Sequence, residues 1–220
     1  MLVELKGVVK YYGNTVVLNG VNLTVSEGGD FVAVFGRSGV GKTTLLNIIG
    51  GLLRADAGSV VVLGIDLVRE FHRALELRRR DLVIVHENLN LIGSLSNIDN
   101  IMLPLLRLGV ESRKAREIAV SVSRELGLND DVLRRTPGKV SMGQRRRVAL
   151  ARALALEPRI LIVDEPTANV DAETAEMVLT VMKDLVSRGG KAVIMATHDK
   201  EALKYSNKNY TLINGKLIAT

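Results

Sequence analysis

The 220-residue sequence has no cysteine and only three histidines, His72, His86 and His198. A disulfide framework and a thiolate metal site are therefore excluded, and the histidines are too sparse for a zinc cluster. The four prolines are scattered, and no Pro-, Gly- or Ser-rich linker or internal repeat divides the chain. No apolar run approaches the ~18 residues that a bilayer span needs. The longest candidates are SVVVLGI and VALARALAL, the second broken by Arg152. Glu4 and Lys6 come too early for a secretory leader. The expectation is a cytoplasmic protein, soluble or peripheral.

Hydrophobic residues make up 47% and charged residues 25%, a composition that excludes disorder. The length suits one domain, or one domain with a lobe set into it. The net charge of +6 fits an ordinary solvated surface, and equally an anionic ligand, membrane or nucleic acid.

VELKGVVKYY and TVVLNGVNLTV alternate apolar and polar residues and read as two strands turning at Gly13-Asn14. Phe31–Phe35 is continuously apolar, which marks a buried strand. A helix runs from Lys42 to about Ile49 and stops at Gly50-Gly51. Val60–Leu63 and Leu82–Val85 are further strands. From about Leu89 to Thr136 the β signal fades, and Asn97–Arg107 and Glu111–Leu126 have helical spacing. The strand–helix alternation returns after Gly143: helix to about Leu156, strand Ile160–Val163, helix Glu173–Ser187, strand Ala192–Ala196. A hairpin, Tyr210–Ile213 and Lys216–Ala219, turns at Asn214-Gly215. The pattern predicts an α/β fold: a mainly parallel sheet covered on both faces, an N-terminal antiparallel β subdomain, and an inserted α-helical subdomain near 89–138.

Gly36-Arg37-Ser38-Gly39-Val40-Gly41-Lys42-Thr43 matches GxxxxGK followed by Thr, between a buried strand and a helix. Glycines let the backbone bring N–H groups to phosphate oxygens, and the helix N-terminus adds partial positive charge. Lys42 supplies a full charge to the β- and γ-phosphates, and Thr43 offers a hydroxyl to Mg²⁺. Strand Ile160–Val163 ends in Asp164-Glu165, which puts two carboxylates at the sheet edge where α/β ligand sites lie. Asp164 is placed to hold Mg²⁺, and Glu165 to polarise a water aimed at the γ-phosphate.

These motifs alone leave kinases, GTPases and many ATPases open. Three further segments narrow the choice. Val140-Ser141-Met142-Gly143-Gln144 runs into RRRVALARAL and resembles the signature motif of ABC-type ATPases, LSGGQ followed by a QRVAIARAL-like helix. Ala168-Asn169-Val170-Asp171 resembles the D-loop, and Ala196-Thr197-His198-Asp199 the switch-histidine motif. The likeness extends from Tyr12 to Asp199. It implies a P-loop nucleotide-binding subunit with the ABC-ATPase fold, two copies of which pair head to tail around two ATP molecules. Each site would join the phosphate loop of one copy, Gly36–Thr44, to Ser141, Met142, Gly143 and Gln144 of the other. The resemblance also implies adenine stacking on Tyr12, a γ-phosphate contact from His198 and a D-loop role for Asp171.

The chain departs from the family pattern twice. Where a metal-contacting glutamine is usual, alignment places Glu87, with Asn88 as the other choice. Glu87 would add negative charge near the γ-phosphate. Met142 replaces the first signature glycine, and its side chain would crowd the partner's nucleotide. The basic runs Arg78–Arg80 and Arg145–Arg147 read as solvated faces, with lobe hydrogen bonding or lipid contact as the functional reading.

Within the family, two classes compete: a transporter ATPase serving separate transmembrane permease subunits, and a soluble ATPase acting on nucleic acid or another complex. DNA-repair members carry long coiled coils and translation-type members usually two cassettes, so the transporter class is expected, without nucleic acid, on the cytoplasmic face of the membrane. A small GTPase would need an NKxD-type motif, and Asn207-Lys208-Asn209-Tyr210 lacks the acid. Within transporters, LLNIIGGL and NLNLIGSLSNIDNIMLPLL resemble the branch with lipoprotein-releasing, macrolide-export and cell-division ATPases.

Overall fold

A computed structural model describes residues 1–220. The chain forms β1 (Val3–Tyr12), β2 (Thr15–Val25), β3 (Phe31–Phe35), α1 (Lys42–Ile49), β4 (Ala57–Val62), β5 (Ile65–Asp66), α2 (Ala74–Leu77) and β6 (Leu82–Val85). Next come α3 (Asn97–Arg107), α4 (Ser112–Glu125), α5 (Asp130–Arg134) and α6 (Met142–Leu154). The last elements are β7 (Ile160–Asp164), α7 (Ala172–Ser187), β8 (Ala192–Thr197), β9 (Lys208–Ile213) and β10 (Lys216–Ala219).

Two sheets result. One is antiparallel, in the order β2-β1-β4-β5; the other runs β10-β9-β3-β8-β7-β6 and is parallel except for its terminal hairpin. Side chains alternate across a strand, and the central strands use both faces. Phe31, Ala33, Leu161, Val163, Val193 and Met195 share a core with the helical segment, through Ile101 and Met102 of α3 and Ala115 of α4. Val32, Val34, Ile160, Ile162, Ile194 and Ala196 pack instead with α1 and the antiparallel sheet, through Leu45, Leu46, Leu5 and Leu23.

The parallel register aligns the C-terminal strand ends. Phe35 sits opposite Thr197, Asp164 opposite Ala196, and Val85 opposite Val163. The loops that begin at Gly36, His86, Glu165 and His198 therefore leave from one edge.

The sequence reading holds for the long elements and misses the short ones. α2, α5, β5 and the 3₁₀ turns at Phe71–Arg73, Pro137–Lys139 and Glu201–Tyr205 are too brief to show a period. β9 starts two residues before the expected Tyr210 and pairs parallel to β3, so the last hairpin widens the main sheet. Polar Lys208-Asn209 hides that start; Lys208 Nζ lies 2.7 Å from the carboxylate of buried Asp30.

The arginine runs need correction. Arg146 is only 4% exposed, because α6 turns it toward the core. Arg147 donates to the Leu126 carbonyl at 3.1 Å, and Arg78 caps the end of α1 through the carbonyls of Gly51 (2.5 Å) and Gly50 (3.5 Å). Hydrogen bonding to carbonyls describes Arg78, Arg146 and Arg147, while Arg79 and Arg80 are exposed as a solvated face predicts.

Candidate active site

The loop after β3 makes a cradle because two of its glycines adopt left-handed backbone. Gly39 has φ +77° and Gly41 φ +112°. At Gly41 a Cβ would also fall 2.8 Å from Val17 Cγ1, so the position requires glycine. Gly41 caps α1 without a side-chain hydrogen bond, and the first turn of α1 holds no acid. The free N–H groups there keep their positive end for an anion.

Lys42, 5% exposed, donates to the carbonyls of Gly36 at 2.7 Å and Arg37 at 3.3 Å. Its Nζ also lies 3.2 Å from Glu165 Oε1. The other Glu165 oxygen is 2.8 Å from His198 Nδ1 and accepts from the His198 N–H at 3.3 Å. With Glu165 as a carboxylate, Nδ1 must carry the proton, and no protein group engages Nε2. Next to this chain of contacts, Thr43 Oγ1 donates to Asp164 Oδ2 at 2.6 Å.

Burial raises the pKa of Asp164, and the charges of Glu165 and Glu87 act in the same direction. The Thr43 hydrogen bond and the Lys42 charge oppose that shift. Glu165 itself has φ +52°, a left-handed backbone that its surroundings must hold. Its N–H bonds to the Ala196 carbonyl at 2.9 Å, and its own carbonyl accepts from Arg146 Nη1.

A cavity of about 650 Å³ opens over these groups. It is lined by Arg37, Ser38, Gly39, Gly41, Lys42, Thr43 and Thr44 of the phosphate loop, and by Asp164, Glu165 and His198 from the other strand ends. Gly36 and Val40, also of this loop, do not line it. Tyr12 reaches the rim with 52% of its surface exposed, whereas Tyr11 does not line the cavity. Glu87 lines it and Asn88 does not. Sequence reasoning missed Val17 and Ala168, both on the wall. Val17 is an ordinary strand residue and carries no signal; Ala168 lies within the segment read as the D-loop.

The donors near Asp164 are all oxygen: the Thr43 hydroxyl and carboxylates. That set suits a hard divalent cation such as Mg²⁺. No three acidic or histidine side chains converge into a cage, so the phosphates and water would have to complete the coordination.

Ser141, Met142, Gly143 and Gln144 lie outside the cavity. They open α6 with a capping box: Ser141 Oγ accepts from the Gln144 N–H at 3.2 Å, and Gln144 Oε1 from the Ser141 N–H at 3.0 Å. The Ser141 hydroxyl proton is left free to donate. Met142 is 42% exposed. Gly143 faces Val170, and a Cβ there would meet Val170 Cγ1 at 3.5 Å, so this segment adjoins Ala168–Asp171. Asp171 caps α7, accepting from the Thr174 N–H at 2.8 Å; that bond and one from the Thr174 hydroxyl lower its pKa.

A second concavity of about 340 Å³ runs along β6, the edge strand, between the sheet and the helical segment. Leu52, Arg78, Pro104 and Arg152 border it. No helix of the chain is long and apolar enough to cross a membrane.

Residues 18–168 match the family described as ABC transporter. Over 193 residues the chain is 40% identical to Rv0986, an ABC transporter ATP-binding protein of Mycobacterium tuberculosis, with 87% of this chain and 77% of that one covered. It is 38% identical over 222 residues to the lipoprotein-releasing system ATP-binding protein LolD of Hyphomonas neptunium, covering 99% and 96%. The fold matches the ATP-binding cassette MJ0796, solved as a dimer in a post-hydrolysis state bound to ADP and Pi, with a TM-score of 0.90 and 32% identity over 98% of this chain and 96% of that one. With the glycine-rich loop, the Asp164-Glu165 pair and His198 at one sheet edge, the chain belongs to the ABC transporter family, as an ATP-binding and ATP-hydrolysing cassette.

Proposed function

We propose that this chain is the motor subunit of a membrane transporter, that two copies close head to tail over two Mg²⁺·ATP, and that hydrolysis reopens them. The observation that carries the reading is a division of labour within the chain. One cavity gathers Lys42, Thr43, Asp164, Glu165 and His198, while the second anion-ready helix start, at Ser141, stands outside it. A lone copy has no use for that second cradle, and a partner's γ-phosphate suits it.

In this reading Lys42 exchanges its carbonyl partners for phosphate oxygens. Arg37, Ser38, Gly39, Val40, Gly41 and Thr44 contribute the rest of the cradle. Thr43 and Asp164 hold Mg²⁺, with Glu87 at its margin; when bound there, the cation neutralises charge on the β- and γ-phosphates. Glu165 accepts a proton from the attacking water as the γ-phosphorus–oxygen bond to ADP breaks. His198, held through Nδ1, presents Nε2 to the γ-phosphate. Tyr12 stacks on adenine. Ser141, Met142, Gly143 and Gln144 meet the partner's nucleotide, and Asp171 lies at the seam between copies.

In this reading separate permease subunits dock on the helical segment near 89–138 and the groove along β6, and the chain works at the cytoplasmic face of the membrane. The two short stretches that resemble the lipoprotein-releasing and macrolide-export branch, together with the likeness to LolD, support a role in that branch. The test is Glu165→Gln. Phosphate release should fall by about 10²-fold or more, ATP should still bind, and light scattering should show an ATP-dependent dimer. Wild-type turnover in this variant would overturn the reading.

A further inference from the structure

The run Arg145–Arg147 holds a buried cation that the site described above does not use. Arg146 lies on α6, two residues past Gln144, and is 4% exposed. Burying a guanidinium is costly unless its donors and charge are matched. Its Nη1 donates to the Glu165 carbonyl, while its Nε has no hydrogen-bond partner. It makes no direct ion pair; its charge is met at longer range by Glu87 and Glu165. It shares a small void with Asp164 and Pro166, and Asp164 also lines the main cavity.

Glu165 is thus held at both ends of its residue. Its N–H is fixed to β8 through Ala196, and its carbonyl to α6 through Arg146. The left-handed φ of +52° persists under that double grip. The first grip belongs to the rigid sheet. The second rides on the helix whose opening residues, in the proposed dimer, touch the partner's nucleotide.

We propose that Arg146 is a positioning residue for Glu165, and that it carries a shift of the Ser141 end of α6 to the Glu165 carboxylate. Occupancy of one nucleotide site would thereby set the geometry of the water-activating group in the other. This inference rests on the motor reading above and adds a residue and a route that the reading does not contain.

The test is the pair Arg146→Gln and Arg146→Lys, measured by steady-state phosphate release and by titration with a fluorescent ADP analogue. Arg146→Gln should lower kcat by about 10- to 100-fold, the scale of a small misplacement of a reacting group. KM for ATP and affinity for the ADP analogue should stay within about twofold. Arg146→Lys, which keeps the charge and one donor, should lose less. In a Glu165→Gln background the further change Arg146→Gln should leave ATP-driven dimerisation unaltered, because the residue acts through Glu165. Unchanged kcat would overturn the proposal. So would a joint fall of kcat and nucleotide affinity, or a weakened dimer in the Glu165→Gln background, both of which mark general damage to the fold. If Arg146→Gln does not fold, Arg146→Lys decides alone: a lower kcat at constant KM supports the proposal, and wild-type kcat overturns it. The two readings fail separately. An active Glu165→Gln variant removes the motor assignment of Glu165, whereas an inactive Glu165→Gln beside fully active Arg146 variants removes only the role of Arg146.

Discussion

The chain presents two helix starts to anionic ligands, and they are built in opposite ways. α1 begins at Gly41, with no side-chain cap and no acid in its first turn. α6 begins at Ser141 with both halves of a capping box in place. An uncapped N-terminus leaves N–H donors to be satisfied by something else, and phosphate is well suited to the task. A boxed N-terminus is stable on its own and keeps one hydroxyl proton to offer. α1 is thus incomplete without its ligand, while α6 is complete and can add a contact. That difference fits a site that holds nucleotide in each copy and a second surface that engages only when copies meet.

The strongest way to break this comparison is at α1. Lys42→Ala should lower ATP hydrolysis by about 10³-fold, since it removes the buried positive charge of the cradle. Normal turnover by phosphate release would show that the uncapped helix start is not where phosphate binds. At α6 the sharper experiment is a matched pair. Ser141→Ala and Ser96→Ala, which removes the cap of α3, should each cost about 1 kcal/mol in urea unfolding. Only Ser141→Ala should also slow turnover, by about tenfold, a change of about 1.4 kcal/mol in the barrier. Equal turnover in the two variants would reduce the Ser141 box to a structural cap.

Smaller effects probe the two departures from the family pattern. Met142→Gly should raise the ATP-bound dimer fraction by a few-fold, read by light scattering in the Glu165→Gln background, about 1 kcal/mol or less. No change would show that the exposed thioether does not crowd the partner. Glu87→Gln should shift the Mg²⁺ concentration for half-maximal turnover by about two- to threefold. An unmoved Mg²⁺ curve would take Glu87 out of the metal's surroundings.

The smallest effect concerns stability without nucleotide. The raised pKa of Asp164 means that ionisation is disfavoured in the fold. Its stabilising contribution is therefore full below the unfolded-state pKa and lost as pH rises through the native one. Asp164→Asn should melt above the wild type at pH 8, and the gap should close as the medium is acidified. A gap that does not change with pH would assign the difference to packing.

Much of this site was legible in the sequence because its chemistry depends on residue types at short fixed spacings. The GKT segment and the Asp-Glu pair each follow an apolar strand, and strand ends in a parallel sheet share an edge. Lys42, Thr43, Asp164 and Glu165 could therefore be placed together from the sequence, and His198 joined them through the resemblance of its segment to the switch-histidine motif. Arg146 could not, since a run of three arginines carries no sign of which one the helix turns inward. That depends on the phase of α6 against the sheet, a tertiary fact. Val17 was hidden for the same reason, and β9 was shortened because its first two residues are polar and face Asp30 and Ser206 rather than an apolar core.

The left-handed residues have a consequence for how the molecule opens. Leu89, Asn90, Glu165 and Asn169 all have positive φ, with values from +46° to +62°. They fall in the loops that follow β6 and β7, the same loops that bring Glu87, Glu165 and Ala168 to the cavity wall. Strained backbone is thus frequent in these two loops, while β3, β7 and β8 are buried throughout most of their length. Local opening should start in those loops and spread to the sheet last. In hydrogen exchange, the amides of residues 87–90 and 167–169 should exchange early in the free chain and gain the most protection when ATP binds, whereas the Glu165 amide, bonded to Ala196, should exchange late. The ligand then acts as the missing half of a foldon, and the motion that drives transport draws on the part of the chain least able to hold its shape alone.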